Sequence, residues 1–242
     1  MELVVESWKK YLAEWNQTMR LSVWFLPVPL VFFATMFALR SVPDVAGHLL
    51  LPFALLSFCV GLWAEIRLTR WILASEQVLE LASDQDEAVF SLRLVPGRVL
   101  VGFLAGLATL GGSLAFVFPG IWLAVSLQFA SLAYLSEGRR GMQALAASHA
   151  LIVGRWWGVF KRLAVGGAFL VAGTYLASSV VITILSFVSG SEALSAALED
   201  GSQNPIFIGA QSFVNGLYLM VFLPLFVRWM VRFYAELKKT AS

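Results

Sequence analysis

Charge is scarce in this chain. Of its 242 residues only 13% are Asp, Glu, Lys or Arg, where a globular domain carries about 25%. Hydrophobic residues reach 59%, more than one soluble core can bury, so a bilayer is the natural solvent for much of the chain. Cysteine is nearly absent. The single thiol, Cys59, excludes an intrachain disulfide and sits inside an apolar run, where it reads as a small hydrophobe. Histidine is limited to His48 and His149, which leaves no Cys/His set of zinc-site type, and glycine-rich phosphate loops and nucleophile elbows are missing too. No metal, no cofactor and no hydrolytic site is therefore expected. Linkers long or biased enough to mark a second domain are also lacking, so residues 1–242 read as one membrane unit.

What is present is a series of apolar runs. A spanning helix needs about 20 apolar residues, because roughly 30 Å of hydrocarbon divides by about 1.5 Å per residue. Six runs qualify or nearly so: 21–39, 47–63, 99–118, 121–135, 163–188 and 206–227. The expected fold class is all-α, a polytopic membrane protein of six transmembrane helices with amphipathic helices on the cytoplasmic side. The first run is expected to be retained, since Glu2, Glu6 and Glu14 spoil the basic leader of a cleaved signal. Ahead of it, Trp8, Leu12 and Trp15 fall on one face of a helix expected to lie along the headgroups. Pro27, Pro29, Pro52 and Pro224 are placed to kink their spans.

Orientation follows from the bases. Lys9, Lys10 and Arg20 precede the first run, and Arg67, Arg70, Arg93 and Arg98 lie between the second and third. Arg139, Arg140, Arg155, Lys161 and Arg162 separate the fourth and fifth, and Arg228, Arg232, Lys238 and Lys239 close the chain. Six alternating spans put sixteen of the 17 bases on one side and leave only Arg40 on the other. The positive-inside rule then assigns both termini to the cytoplasm. The outer links are sparse. In "FPG", Pro119 is expected to stop a helix and Gly120 to allow a tight reversal.

Two inner segments are more than loops. "EIRLTRWILASEQVLELAS" from Glu65 continues the second run at helical spacing, and a helix restarts near Ser83 or Asp84. The acids Glu76, Glu80, Asp84, Asp86 and Glu87 cluster there, as a solvated face or, alternatively, a divalent-ion site. The segment from Ala88, "AVFSLRLVPGRVLVGFLA", parallels "ALAASHALIVGRWWGVFKRLA" from Ala144, each a short helix, Gly-Arg and a span, which suggests an internal repeat. In the second copy Ala144, Ala147, Ser148, Leu151 and Ile152 share a small-residue helix face, and Gly154 is placed to end that helix.

"FPGIWL", "SEG" and "ALAASHALIVGRWW" together resemble the membrane domain of some bacterial glycerophosphoryl diester phosphodiesterases and of related multi-pass proteins. The matching positions are Pro119, Gly120, Glu137, Gly138, Ala144, Ser148, Leu151, Gly154 and Trp157, and the likeness is sharp only over 117–160. The resemblance implies six helices, the plasma (inner) membrane of a prokaryote, and a mostly unassigned role. The phosphodiesterase chemistry itself belongs to a separate soluble barrel and does not carry over.

The first functional expectation is a non-enzymatic protein that contacts anionic lipids in membrane or envelope maintenance. Arg139, Arg140, Arg155, Lys161 and Arg162 would attract phosphates, while Trp156 and Trp157 would set depth. Membrane lipids are the expected partners, and nucleic acid is not. The alternative is a small-molecule or lipid transporter, or a channel-like protein, with a polar midplane cavity at Gln128, Gln211 and Asn215. A lipid-modifying enzyme would require Glu137, Ser148 and His149 to meet in one cleft. The layout has a direct check. In a Cys59→Ala background, a cysteine at Ser242 should be shielded from a membrane-impermeant thiol reagent added to intact cells, and labelling there overturns the orientation.

Overall fold

A computed structural model describes the backbone of residues 2–31, 34, 43–81, 84–189 and 205–240. Among the described residues all regular structure is helical. The principal helices, in chain order, are α1 (Glu2–Ala13), α2 (Trp15–Ser22), α3 (Pro43–Ser75), α4 (Asp84–Ala115), α5 (Val117–Leu127), α6 (Ala130–Glu137), α7 (Met142–Ile152), α8 (Trp156–Ser189) and α9 (Pro205–Lys239).

Among the described residues four stretches are long and apolar enough to cross a membrane: Pro52–Ser75, Asp86–Ala115, Val117–Glu137 and Trp156–Val180. They overlap the second to fifth expected runs. The first run, 21–39, is described only to residue 31 and at residue 34, and the sixth lies in α9, several of whose side chains fall outside the described residues. Large apolar groups stand uncovered along these helices, Leu114 at 89% exposure and Val165 at 71% among them. Such faces suit hydrocarbon rather than water.

The chain divides into two compact units: Met1–Trp15, Glu65–Gly167 and Pro224–Ser242 form the first, and Asn16–Ala64 with Ala168–Leu223 the second. The first holds fifteen of the 17 bases and eleven of the 15 acids. The second, nearly free of charge, packs by close approach. Trp24 meets Trp63 edge to face at 5.3 Å, and the Tyr218 hydroxyl donates to the Leu170 carbonyl at 3.2 Å. A Cβ on Gly173 would sit 2.0 Å from that hydroxyl, so a larger residue there would displace the ring.

Within the first unit α4 and α5 form a tight hairpin. Its turn falls at Phe116, which is extended (φ −163°, ψ 154°), and not at Pro119 and Gly120 as expected. Both of those residues lie in the first turn of α5, where proline's missing N–H has no intrahelical acceptor to serve. Gly120 instead permits contact. Its Cβ would lie 2.0 Å from Ser113 Oγ and 2.9 Å from Ser113 Cα.

A second difference concerns the repeat. α4 runs unbroken through Pro96 and Gly97, where the Tyr134 hydroxyl donates to the Leu94 carbonyl at 3.0 Å and fills the space a Gly97 side chain would need. The other copy does break, at Gly154 with φ 77°. The two segments therefore differ in backbone path.

Gly120→Ala should lower the thermal unfolding midpoint in detergent, by an overpacking cost of about 1–3 kcal/mol. Gly106→Ala, whose Cβ would meet nothing within 4 Å, should not lower it and should raise it by up to about 1 kcal/mol of helix propensity. Equal midpoints for the two variants would show that the hairpin contact is not tight.

Candidate functional site

The stretch Val117–Glu137 is not one continuous helix. α5 ends at Leu127, and Phe129 (φ −91°, ψ 3°) interrupts it before α6. An interruption frees backbone groups that hydrocarbon cannot satisfy. Ser148 of α7 satisfies two of them: its Oγ accepts from Phe129 N–H at 3.1 Å and donates to the Ser126 carbonyl at 2.8 Å. Ala144, Leu145 and Ile152 are buried beside it, so the small face of α7 packs inward, while Met142 and Val153 face out. Gly138 (φ 67°) closes α6 in the left-handed conformation, whereas α7 ends at Val153 (φ −52°, ψ 131°) and Gly154 (φ 77°) follows it in a turn closed by Arg155 N–H on the Ile152 carbonyl.

The charges of the first unit form a network. Glu137 takes the Tyr234 hydroxyl at 2.5 Å, Arg139 at 2.6 Å and Lys238 at 3.0 Å. Burial, and secondly the Glu137 carboxylate, hold the Tyr234 phenol far above its ordinary pKa, so it stays a hydrogen-bond donor. Arg155 bonds the Leu237 carbonyl at 3.3 Å and the Thr240 hydroxyl, capping the end of α9. Arg162 pairs with Glu236 at 3.0 Å and lies 5.1 Å from the Phe233 ring centre.

Deeper in the unit, Arg228 is fully buried, pairs with Glu14 at 2.5 Å and stands 5.5 Å from the Trp71 ring centre. Two further nitrogens of Arg228, Nε and Nη1, have no hydrogen-bond partner among the described residues. Arg232 meets Glu76 at 3.1 Å and Glu6 at 3.3 Å, and Lys10 meets Glu76 at 3.1 Å and the Ser75 carbonyl. These contacts bind α1 through one face. That face also buries Ser7 and Tyr11, whose phenol burial pushes up to about 12. The other face leaves Val5, Trp8 and Leu12 exposed, and Trp15 at the start of α2 is exposed too.

A third cluster joins α3 and α4. Arg70 and Glu87 form a buried two-point pair, with Nη2 to Oε2 at 3.1 Å. Arg70 also reaches the Leu135 carbonyl at 3.4 Å and lies 4.6 Å from the Phe90 ring centre, while Ser91 donates to Glu87 at 3.3 Å. Arg98 pairs with Glu65 at 2.9 Å.

The residues singled out in the sequence fall into several groups. Of the five expected headgroup cations, Arg139, Arg155 and Arg162 are engaged inside the protein. Arg140 and Lys161 are exposed and have no ion pair among the described residues. Trp156 donates Nε1 to the Trp122 carbonyl at 3.2 Å and stacks on Phe160 at 5.1 Å, whereas Trp157 is exposed. Leu151 is half-buried.

Gln128 is exposed at the helix interruption, and the side chains of Gln211, Asn215 and His48 lie outside the described residues. His149 packs against Trp122 at 5.2 Å. Ser148 and Glu137 are committed to different partners, and no hydrogen bond joins either of them to His149. Of the acid cluster, Glu76 is paired with α1 and α9, the Asp84 side chain lies outside the described residues, and Glu80, Asp86 and Glu87 line an open cleft. No group of three metal-ligating side chains converges among the described residues.

The buried pairs Arg70–Glu87 and Arg228–Glu14 were not foreseen. The available signal was an arginine inside a largely apolar helix, which must find an acid, although which acid is a tertiary matter.

The class defined is a chain whose regular structure is helical among the described residues, with four helices there of membrane-crossing length and one compact unit knit by ion pairs. No family model, curated protein or solved structure matches it.

Glu14→Gln should destabilise the chain more than Arg228→Met. The first strands a fully buried charge, a cost of about 3–5 kcal/mol, whereas the second removes the charge itself. Thermal unfolding of the two variants in one detergent decides the order.

Proposed function

We propose that this chain is a non-enzymatic, six-span integral membrane protein of a prokaryotic plasma membrane, with both termini in the cytoplasm. Its charged unit meets anionic lipids, in a role of membrane or envelope maintenance. The resemblance to the membrane domain of bacterial glycerophosphoryl diester phosphodiesterases belongs to the same proposal, and implies the same helix count as the six apolar runs. One observation carries the lipid reading: Arg140 and Lys161 are exposed without ion pairs among the described residues, in a unit that also exposes Trp8, Trp15 and Trp157. Cations free of internal partners are available to phosphates, and indoles favour the headgroup zone. Each base near an anionic surface contributes about 1 kcal/mol of attraction.

The internally paired arginines have a different part. Arg155 and Arg162 hold the C-terminal end of α9, and Glu137 gathers Arg139 and Lys238. They keep the unit in shape, and the free bases face the lipid. Reconstitution with spin-labelled lipids separates the roles. Arg140→Glu and Lys161→Glu should each reduce the preference for phosphatidylglycerol over phosphatidylcholine by about fivefold or more. Arg155→Gln should lower stability and leave that preference in place. An unchanged lipid preference in the Arg140→Glu/Lys161→Glu double variant removes the proposal.

A further inference from the structure

Arg228 is a buried charge with donors to spare. It has no exposed surface, yet only its Nη2 is bonded, to Glu14, while Nε and Nη1 find no partner among the described residues. Arg70, also buried, is the contrast: Nε and Nη2 go to the two oxygens of Glu87, and Nη1 goes to the Leu135 carbonyl. One turn beyond Arg228 on α9, Arg232 gives Nη1 to Glu6 at 3.3 Å. Its Nε lies 3.1 Å from Glu76 without an aligned hydrogen bond. Two guanidiniums therefore share one face of α9, neither of them fully engaged. A buried donor that lacks an acceptor is a place where a better acceptor gains affinity.

What covers the pair is α1, and charge rather than burial holds it there. Glu6 and Lys10 of α1, and Glu14 just beyond it, recur at four-residue steps and so share a face. They meet Arg232, Glu76 and Arg228 respectively. Among the described side chains of α1 only Ser7 and Tyr11 are buried, while Val5, Trp8 and Leu12 point outwards. A helix docked for its hydrophobicity would turn that apolar stripe inwards. Lifting α1 thus uncovers one large apolar ring, Tyr11, and otherwise gives up carboxylate contacts that another anion can replace.

We propose that Arg228 and Arg232 form a binding site for a phosphate monoester that α1 keeps closed, the Glu14 and Glu6 carboxylates standing in for phosphate oxygens. Each of these carboxylates serves one guanidinium, so α1 uses two of them. A tetrahedral phosphate has three terminal oxygens and accepts from the Nε–Nη2 edge of Arg228 and from Arg232 together, in charge-assisted bonds. Glu76 stays beside Arg232 when α1 leaves, which directs the phosphate chiefly to Arg228. The Trp71 ring, its centre 5.5 Å from the Arg228 guanidinium, steadies that side chain. The ester binds only the form from which α1 has lifted, so its binding energy shifts the chain toward that form. Arg140 and Lys161 differ, because occupying them displaces nothing. The site does not depend on the lipid-contact reading, since a soluble ester has the same phosphate.

The test is amide hydrogen exchange across residues 2–13, in the full chain in detergent, with dioleoyl phosphatidic acid or glycerol 3-phosphate added. A phosphate monoester should speed exchange there by about tenfold or more, as α1 leaves its seat. Release by the lipid alone makes the ligand a headgroup, whereas release by both at equal concentration makes it a soluble ester; either result supports the site. Glu14→Gln removes the competing carboxylate and should lower the half-saturating concentration about tenfold, the scale of one charged hydrogen bond. Glu6→Gln, at a side chain 67% exposed, is the milder variant and should lower it about threefold. Arg228→Met should abolish the response, and the Arg140→Glu/Lys161→Glu double variant should keep it. Exchange that neither ester changes overturns the proposal, and leaves water as what Arg228 holds. So does a response that survives Arg228→Met, or one lost in the double variant, which would assign it to the open basic surface. Unchanged half-saturation in both glutamine variants overturns the competition with α1, and the proposal with it.

Discussion

Hydrocarbon supplies no hydrogen bonds and solvates no charge, so each polar group in these helices must be answered from within the protein. Three features of the structure follow from that constraint. The break between α5 and α6 survives because Ser148 takes the freed Phe129 N–H and gives its own proton to Ser126. The Arg70 guanidinium is held by both oxygens of Glu87 and by a carbonyl of α6. Arg228, with no exposed surface, is answered in part, by Glu14 and the face of Trp71, while its Nε and Nη1 find no partner among the described residues. Two of these contacts reach far along the chain, Arg70 to Leu135 across 65 residues and Arg228 to Glu14 across 214, so the requirement that polar groups be paired also fixes which helices are neighbours.

The same solvent changes what holds helices together elsewhere. Lipid tails are as apolar as leucine, which leaves dispersion and close approach to do what water does for a soluble core. Glycines where helices touch are the consequence. Gly112 and Gly120 let α4 and α5 meet, with a Gly112 Cβ only 2.8 Å from Leu123 Cδ1. Gly106 and Gly111 on the same helix face open space. Identical residues one or two turns apart therefore serve opposite purposes, and only the neighbouring helix distinguishes them.

That distinction marks how far the sequence could be read. Apolar runs reveal crossing helices because length and composition are local properties, and four of the six expected runs have helices of that kind. The positive φ of Gly154 was legible for the same reason, since it is a property of one residue, but it serves the turn after Val153 and not the helix end itself. The reversal was misplaced because Pro-Gly is the usual signature of a turn, yet here the pair opens a helix and Phe116 makes the bend. Arg139, Arg155 and Arg162 looked like one headgroup-binding set with Arg140 and Lys161. Their partners Glu137, Leu237, Thr240 and Glu236 are distant in sequence or ordinary by themselves, and no periodicity announces them.

The division of these cations is itself a physical argument about what the charged unit can offer a membrane. Arg139 and Arg162 each give one hydrogen bond to a carboxylate, and drawing either to a phosphate would leave that acid uncompensated. The unit carries fifteen bases against eleven acids, so internal pairing cannot consume every cation. A surplus must be neutralised from outside, by counterions or by lipid phosphates, and Arg140 and Lys161 are exposed where that can happen.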